Sequence, residues 1–161
     1  MVTVPFFAPD GMPLGVVRRS LTEKQFKNSW KLPKKETLWN FQDARRYEHG
    51  IITESSFDAM RIWQAGFPGV VATLGGSISP HHQQQIEHTF TSLTIFTDGD
   101  EKGIEFGKKI ESQLPSVKIY WSWHGDSRYP EGAHDATDME DEDIKLCMEN
   151  RLTTFEYRLR G

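Results

Sequence analysis

The sequence predicts an α/β fold, with a mainly parallel four-stranded sheet flanked by helices and a small β-rich subdomain before it. Three observations carry this prediction. From Gly50 onward, short β-branched runs alternate with longer amphipathic stretches, the pattern of βαβ units. Ahead of that point, two apolar runs flank a Pro/Gly turn cluster, the pattern of a β-hairpin. With 161 residues, 37% hydrophobic and 26% charged, the chain has the size and composition of one globular unit.

Each element has its own local reason. Phe6-Phe7-Ala8 and Leu14-Gly15-Val16-Val17 flank Pro9-Asp10-Gly11-Met12-Pro13 and form the hairpin, after which Lys24 to Lys35 reads as a basic, irregular segment. Ile51-Ile52-Thr53 is a buried strand. Ser55 caps the following helix, whose apolar face is expected at Phe57, Met60, Ile62 and Trp63 and which Gly66 stops. Gly69 to Thr73 is the second strand. After Leu74-Gly75-Gly76, Ser79-Pro80 supplies an N-cap and a first helical proline for a helix running to about Phe90. Leu93 to Phe96 is the third strand. A helix spans Asp100 to Leu114, with Ile104, Phe106, Gly107 and Ile110 inward and Pro115 at its exit. Val117 to Trp121 is the fourth strand. His124 to Asp138 lacks periodicity and reads as a long loop before a short acidic helix from Met139 to Asn150.

Composition narrows the chemistry. Apolar runs are only a few residues long, against the roughly 20 a bilayer-spanning helix needs, so no membrane partner is expected. The N-terminus lacks the basic flank and apolar run of a signal peptide, which makes a cytoplasmic location the expectation. A single cysteine, Cys147, excludes an internal disulfide and a multi-thiolate zinc site. The formal net charge of −4 conceals a division: residues 1 to 48 carry nine Lys/Arg against five Asp/Glu, residues 49 to 150 seven against seventeen, and residues 151 to 161 three against one. The boundaries expected from pattern and charge are a basic β-rich part at 1–48, an α/β part at 49–150 and a short basic tail at 151–161.

In an open parallel sheet, ligands sit beyond the carboxyl ends of the strands. Glu54 follows the first strand and Asp98 the third; Asp98-Gly99-Asp100 adds a carboxylate two residues on, where extended backbone returns to the same side. Asp135 and Asp138 lie past the fourth strand. Carboxylates converging from three strand ends repel one another unless a cation neutralises them, and hard oxygen ligands select Mg²⁺ or Mn²⁺ over zinc. Taken alone, Asp-Gly-Asp before a helix is more often a turn with an N-cap.

The runs Ile52-Thr53-Glu54-Ser55-Ser56-Phe57-Asp58-Ala59-Met60, Gly66 to Gly75 and Phe96-Thr97-Asp98-Gly99-Asp100-Glu101-Lys102-Gly103 resemble the Toprim domain of bacterial-type primases, phage primases included. Upstream, Leu14 to Arg19 and Phe26 to Ser29 through Leu38-Trp39-Asn40 are similar to the basic segment that precedes Toprim in the primase catalytic core. The resemblance covers roughly residues 5 to 143. It implies Glu54, Asp98 and Asp100 as catalytic residues and metal ligands, Asp58 as the further acid of the first motif, and Asp135 ahead of Asp138 as the third metal-binding acid. Two departures stand out: Ala136-Thr137 separates those last two carboxylates where the family has a single proline, and Ser55 replaces a glycine. The resemblance further implies Mg²⁺ (or Mn²⁺), nucleotidyl transfer from ribonucleoside triphosphates on a single-stranded DNA template, and RNA primer synthesis. Arg18, Arg19, Lys24, Lys27, Lys34 and Lys35, with Asn28, match the family's basic ridge for phosphates, and Phe26, Trp30 and Trp39 could stack bases, although core packing is preferred for Trp39.

Other features carry less. His81, His82 and His88 read as an exposed polar helix face, His124 and His134 as loop residues, Cys147 as a small buried hydrophobe, and Glu140 to Asp143 as acids favoured by a helix dipole. One alternative is another Toprim phosphotransferase or nuclease, which would not require the upstream basics. The other is a non-catalytic nucleic-acid-binding module. Full primases of the resembling type also carry a zinc-binding domain and a helicase-engaging region, so a replicative helicase or a zinc-binding domain acting in trans is an expected partner.

Overall fold

The computed structural model describes residues 1–23 and 25–160, arranged as two sheets joined along one side. Strands β1 (Val2–Phe7) and β2 (Pro13–Arg19) form the expected antiparallel hairpin. Strand β3 (Phe26–Asn28) adds to β2, so part of the segment expected to be irregular is a strand. A four-residue helix α1 (Phe41–Ala44) leads to the second sheet.

That sheet contains β4 (His49–Thr53), β5 (Val70–Ala72), β6 (Ser92–Ile95), β7 (Lys118–Trp121) and β8 (Leu152–Thr153), in the order β5-β4-β6-β7-β8. The first four are parallel, as expected. β8 pairs antiparallel with β7, so the expected four-stranded sheet gains a fifth strand from the segment read as a tail, which ends in helix α6 (Thr154–Arg160).

Helices α2 (Ser56–Gln64), α3 (Pro80–Thr89), α4 (Glu101–Gln113) and α5 (Asp141–Glu149) cover the sheet. Because both faces are covered, neighbouring strand residues go to opposite cores: Ile52 and Val71 to one with Ile86, Phe106 and Ile110, and Ile51 and Val70 to the other with Ala59, Ile62 and Ile144. Leu38 and Phe41 pack into the first core. Trp39 pairs backbone to backbone with Ala72, and its indole N–H donates to the Pro5 carbonyl at 3.0 Å, tying the hairpin to the α/β sheet.

Two sequence expectations need correction. The inner face of α2 is Ser56, Asp58, Ala59 and Ile62, whereas Trp63 is 54% exposed and Phe57 and Met60 are half-buried. His82 is buried rather than on a solvated face. It occupies the N3 position of a capping box, where its Nδ1 accepts from the Ser79 N–H at 3.2 Å. The Nε2 is therefore the protonated nitrogen and donates to the Lys34 carbonyl at 2.7 Å. Burial holds its pKa below the usual histidine range, so the ring is neutral.

Candidate active site

The chain enters the parallel sheet at β4, crosses to β5 on one side and to β6 on the other. Adjacent strands whose connections diverge open a crevice at their carboxyl ends. Glu54 directly follows β4 and Asp98 lies three residues after β6, one on each lip of that crevice.

Local geometry aims four further acids. Ser55 caps α2 through a hydrogen bond from the Asp58 N–H (3.1 Å), and its hydroxyl donates to Asp58 Oδ2 at 2.6 Å. Ser55 thus holds the Asp58 carboxylate. Asp100 caps α4, accepting from the Gly103 N–H at 2.8 Å. Gly103 is required there: a Cβ would lie 2.0 Å from the Asp98 carbonyl oxygen. Asp135 caps a 3-10 turn at Ala136–Asp138 and accepts from Thr137 N–H and Oγ1, at 2.9 and 2.5 Å. Asp138 is exposed and accepts from the His134 N–H at 2.9 Å.

One carboxylate oxygen from each of Asp58, Asp98 and Asp135 lies within 4.8 Å of the others. Asp138 is not part of this group. Burial, then the Asp135 charge, pushes the Asp58 carboxyl up to about 7, with Asp98 adding to the effect. Burial and the charges of Asp135, Glu54 and Asp100 push Asp98 up to about 6. Glu54 is also raised, first by burial and then by Asp100. Glu54 and Asp100 act on Asp98 through their charges, but among the described residues only Asp58, Asp98 and Asp135 bring carboxylate oxygens within 4.8 Å of one another. The donors are all carboxylate oxygens, and Asp58 Oδ1 is buried without a hydrogen-bond partner. Such a set fits a hard divalent cation, which would satisfy that oxygen and relieve the repulsion.

A cavity of about 220 Å³ opens over the acids, lined by Arg19, Phe26, Glu54, Ser55, Asp58, Asp98, Asp135 and Thr137. Beside it, a cavity of about 340 Å³ shares Phe26, Glu54 and Ser55 and adds Val17, Asn28, Lys34, Ser56, Leu74 and Gly75. The β2–β3 pairing sorts the basic residues predicted from sequence. Arg19 opposes Phe26 and Val17 opposes Asn28, so these face the cavities, while the Arg18–Lys27 pair between them points to the other face. The Arg19 guanidinium lies 5.5 Å from the Phe26 ring centroid and 5.0 Å from that of Phe57, bridging the two sheets' elements. Lys34 donates to the Leu74 carbonyl at 3.2 Å. Lys35 is exposed outside the cavities, and Lys24 lies outside the described residues.

Two residues beside the acids gave no sequence signal. Arg61, one turn beyond Asp58 on α2, donates from Nε and Nη2 to the Met139 carbonyl (3.0 and 2.8 Å) and from Nη1 to Asp141 at 2.7 Å, fastening the Asp135 turn to the helix that carries Asp58. Arg128, buried in the loop after β7, donates to the Asp98 carbonyl at 2.9 Å and to Thr97 Oγ1 at 3.1 Å. Arg61 lies on the outward side of a helix read from its apolar face, and Arg128 in a stretch without periodicity. Arginine that bonds carbonyls leaves no local pattern.

The structure thus belongs to the α/β class, with carboxylates on both lips of the crevice of its parallel sheet and a basic strand pair facing them. Residues 48–120 match the family model described as the Toprim domain. Beyond that segment the chain is similar to DNA primases: it is 27% identical to the DNA primase of Helicobacter pylori over 122 residues, covering 70% of this chain and 22% of that protein. It is 31% identical over 86 residues to the gene 57 protein of Mycobacterium phage D29, covering 53% of this chain and 56% of that protein. The fold matches the zinc-binding and RNA polymerase domains of the Aquifex aeolicus primase with a TM-score of 0.81 at 23% identity, over 99% of this chain and 42% of that one. The chain therefore spans about a fifth of the length of the bacterial primase it matches in sequence. Among the described residues, no helix is long and apolar enough to cross a membrane.

Proposed function

We propose that this chain carries the nucleotidyl-transfer site of a DNA primase, which extends RNA primers from ribonucleoside triphosphates on single-stranded DNA. The observation that carries the reading is the abutment of the acidic cavity, which Arg19 also lines, against a second cavity lined by Asn28, Lys34 and Phe26. Growth of a primer needs both at one place: oxygen ligands for cations and donors for the triphosphate.

In this reading Asp58, Asp98 and Asp135 would hold one divalent cation, and Glu54 and Asp100 would serve a second beside it together with Asp98. Mg²⁺ or Mn²⁺, when bound, supplies Lewis acidity toward the attacking 3′-hydroxyl and charge neutralisation toward the leaving pyrophosphate. Glu54, half-buried and with its pKa raised, accepts the proton of the 3′-hydroxyl at its carboxylate. Arg19 and Lys34 hold phosphate oxygens of the incoming nucleotide, and Asn28 adds a neutral donor. Phe26, 54% exposed above the cavities, stacks on a base. Arg18 and Lys27 on the outer face of the sheet hold template phosphates without reading sequence. A zinc-binding domain or a replicative helicase acting in trans supplies site selection and delivery.

The test is primer synthesis on a single-stranded template with labelled ribonucleotides and Mg²⁺ or Mn²⁺. Di- and oligoribonucleotides are the expected products. Template binding without any product, with and without a zinc-binding domain or helicase added, favours a non-catalytic binding module.

A further inference from the structure

The buried arginine behind the acids has no part in the chemistry proposed above, yet its position is specific. Arg128 makes no ion pair with a carboxylate among the described residues, although it is 9% exposed. Its guanidinium instead spends Nη1 on the Asp98 carbonyl and Nη2 on Thr97 Oγ1, while lying 4.9 Å from the ring centroid of Tyr129 and 5.2 Å from that of Trp121. The next residue continues the grip: the Tyr129 hydroxyl donates to the Thr97 carbonyl, and its ring stacks on Phe96 at 5.4 Å. Farther along the same loop, the His134 carbonyl accepts from the Gly99 N–H at 2.7 Å. Three consecutive residues, Thr97 to Gly99, are thus held by the loop that goes on to deliver Asp135.

We propose that Arg128 is a positioning residue for the cation site: through the Asp98 and Thr97 backbone and hydroxyl it fixes the Asp98 carboxylate against Asp135, so that both ligands belong to one rigid unit. This rests on reading the acidic cluster as a cation site. A fixed positive charge near that site would by itself repel a cation, so the two effects have opposite signs. The structure favours positioning. Both guanidinium bonds go to the backbone carbonyl and a hydroxyl rather than to the carboxylate. Groups that orient ligands in this way commonly govern metal affinity by about 10- to 100-fold.

The experiment titrates Mn²⁺ into the cation-free chain by calorimetry, for wild type, Arg128→Met and Arg128→Lys, with amide exchange at Gly99 followed in the same cation-free samples. Arg128→Met is expected to raise the Mn²⁺ dissociation constant about tenfold and to speed Gly99 exchange. Lysine, which can reach only one of the two acceptors, is expected to restore part of the affinity and leave a loss of about threefold. In primer synthesis, the Mn²⁺ concentration for half-maximal rate should rise with the dissociation constant while the rate at saturating Mn²⁺ stays within about twofold. Unchanged or tighter Mn²⁺ binding by Arg128→Met overturns the proposal, the tighter case assigning Arg128 the part of a counter-charge. If Arg128→Met does not fold, wild-type affinity in Arg128→Lys overturns it. Failure of the wild type itself to bind Mn²⁺ is a different result and overturns the cation site.

Discussion

Replacing Asp58 by asparagine removes the most deeply buried acid of the cluster while preserving its shape. In the folded chain the Asp58 carboxyl is raised from 3.8 to about 7 by burial, Asp135 and Asp98, so the folded state binds its proton more tightly than the unfolded state. Stability therefore falls as pH rises between those two values, and the loss is complete above about pH 7. A difference of about three pKa units corresponds to about 4 kcal/mol, or roughly 10 °C in Tm for a chain of this size. The neutral amide escapes this cost. In EDTA, Asp58→Asn is expected to be more stable than wild type by up to about 4 kcal/mol at pH 8.5, with the gap closing to under about 1 kcal/mol at pH 4. Added Mn²⁺ should stabilise the wild type far more than the variant and erase most of the gap, since a ligand stabilises the state that binds it. Urea unfolding at both pH values, with and without Mn²⁺, reads all of this. A variant less stable than wild type at pH 8.5 in EDTA, or a gap independent of pH, would refute the argument that Asp58 is a strained, cation-ready acid.

Other perturbations test the remaining parts of the site. Arg19→Ala is expected to reduce primer synthesis more than tenfold, because Arg19 lines the acidic cavity, whereas Arg18→Ala and Lys27→Ala should stay within about threefold at saturating template and each lower the salt dependence of single-strand binding by about one unit of slope. Equal losses in all three variants would contradict the two-faced arrangement. Gly103→Ala places a Cβ 2.0 Å from the Asp98 carbonyl, so a stability loss of about 3 kcal/mol in urea and weaker Mn²⁺ binding are expected together. His82→Ala deletes a ring that bonds the Ser79 N–H and the Lys34 carbonyl. It should cost about 2 kcal/mol, because two half-buried polar groups lose their partners and the buried ring leaves a void.

What could be read from the sequence divides along physical lines. The Ser79-Pro80 start of α3, the Asp100 cap of α4 and the strand-end placement of Glu54 and Asp98 are local or topological features, and a linear sequence records them. The inner face of α2 is not legible in this way. Hydrophobic periodicity selects Phe57 and Trp63, but the site draws the polar Ser56 and Asp58 inward, and α2 meets the sheet through small Ala59 and Ile62. The basic cluster reads as one ridge in sequence because pairing of β2 with β3, which sorts Arg19 and Asn28 from Arg18 and Lys27, depends on register. His82 sits three residues after its cap, where a capping box normally places Glu or Gln, and a histidine there does not announce burial. Arg61, from helix α2, and Arg128, from the loop after β7, act through backbone carbonyls remote in sequence, and such contacts exist only once the chain has folded.

The most direct test of the central reading is template-directed ribonucleotide incorporation by the wild type beside Asp98→Ala and Asp100→Ala. Incorporation of labelled ribonucleotides complementary to a single-stranded DNA template should depend on Mg²⁺ or Mn²⁺ and fall at least about a thousandfold in either variant, with single-strand affinity held within about twofold. A wild type that binds template but incorporates nothing with either cation and with both candidate partners present, or variants that incorporate at the wild-type rate, would contradict it.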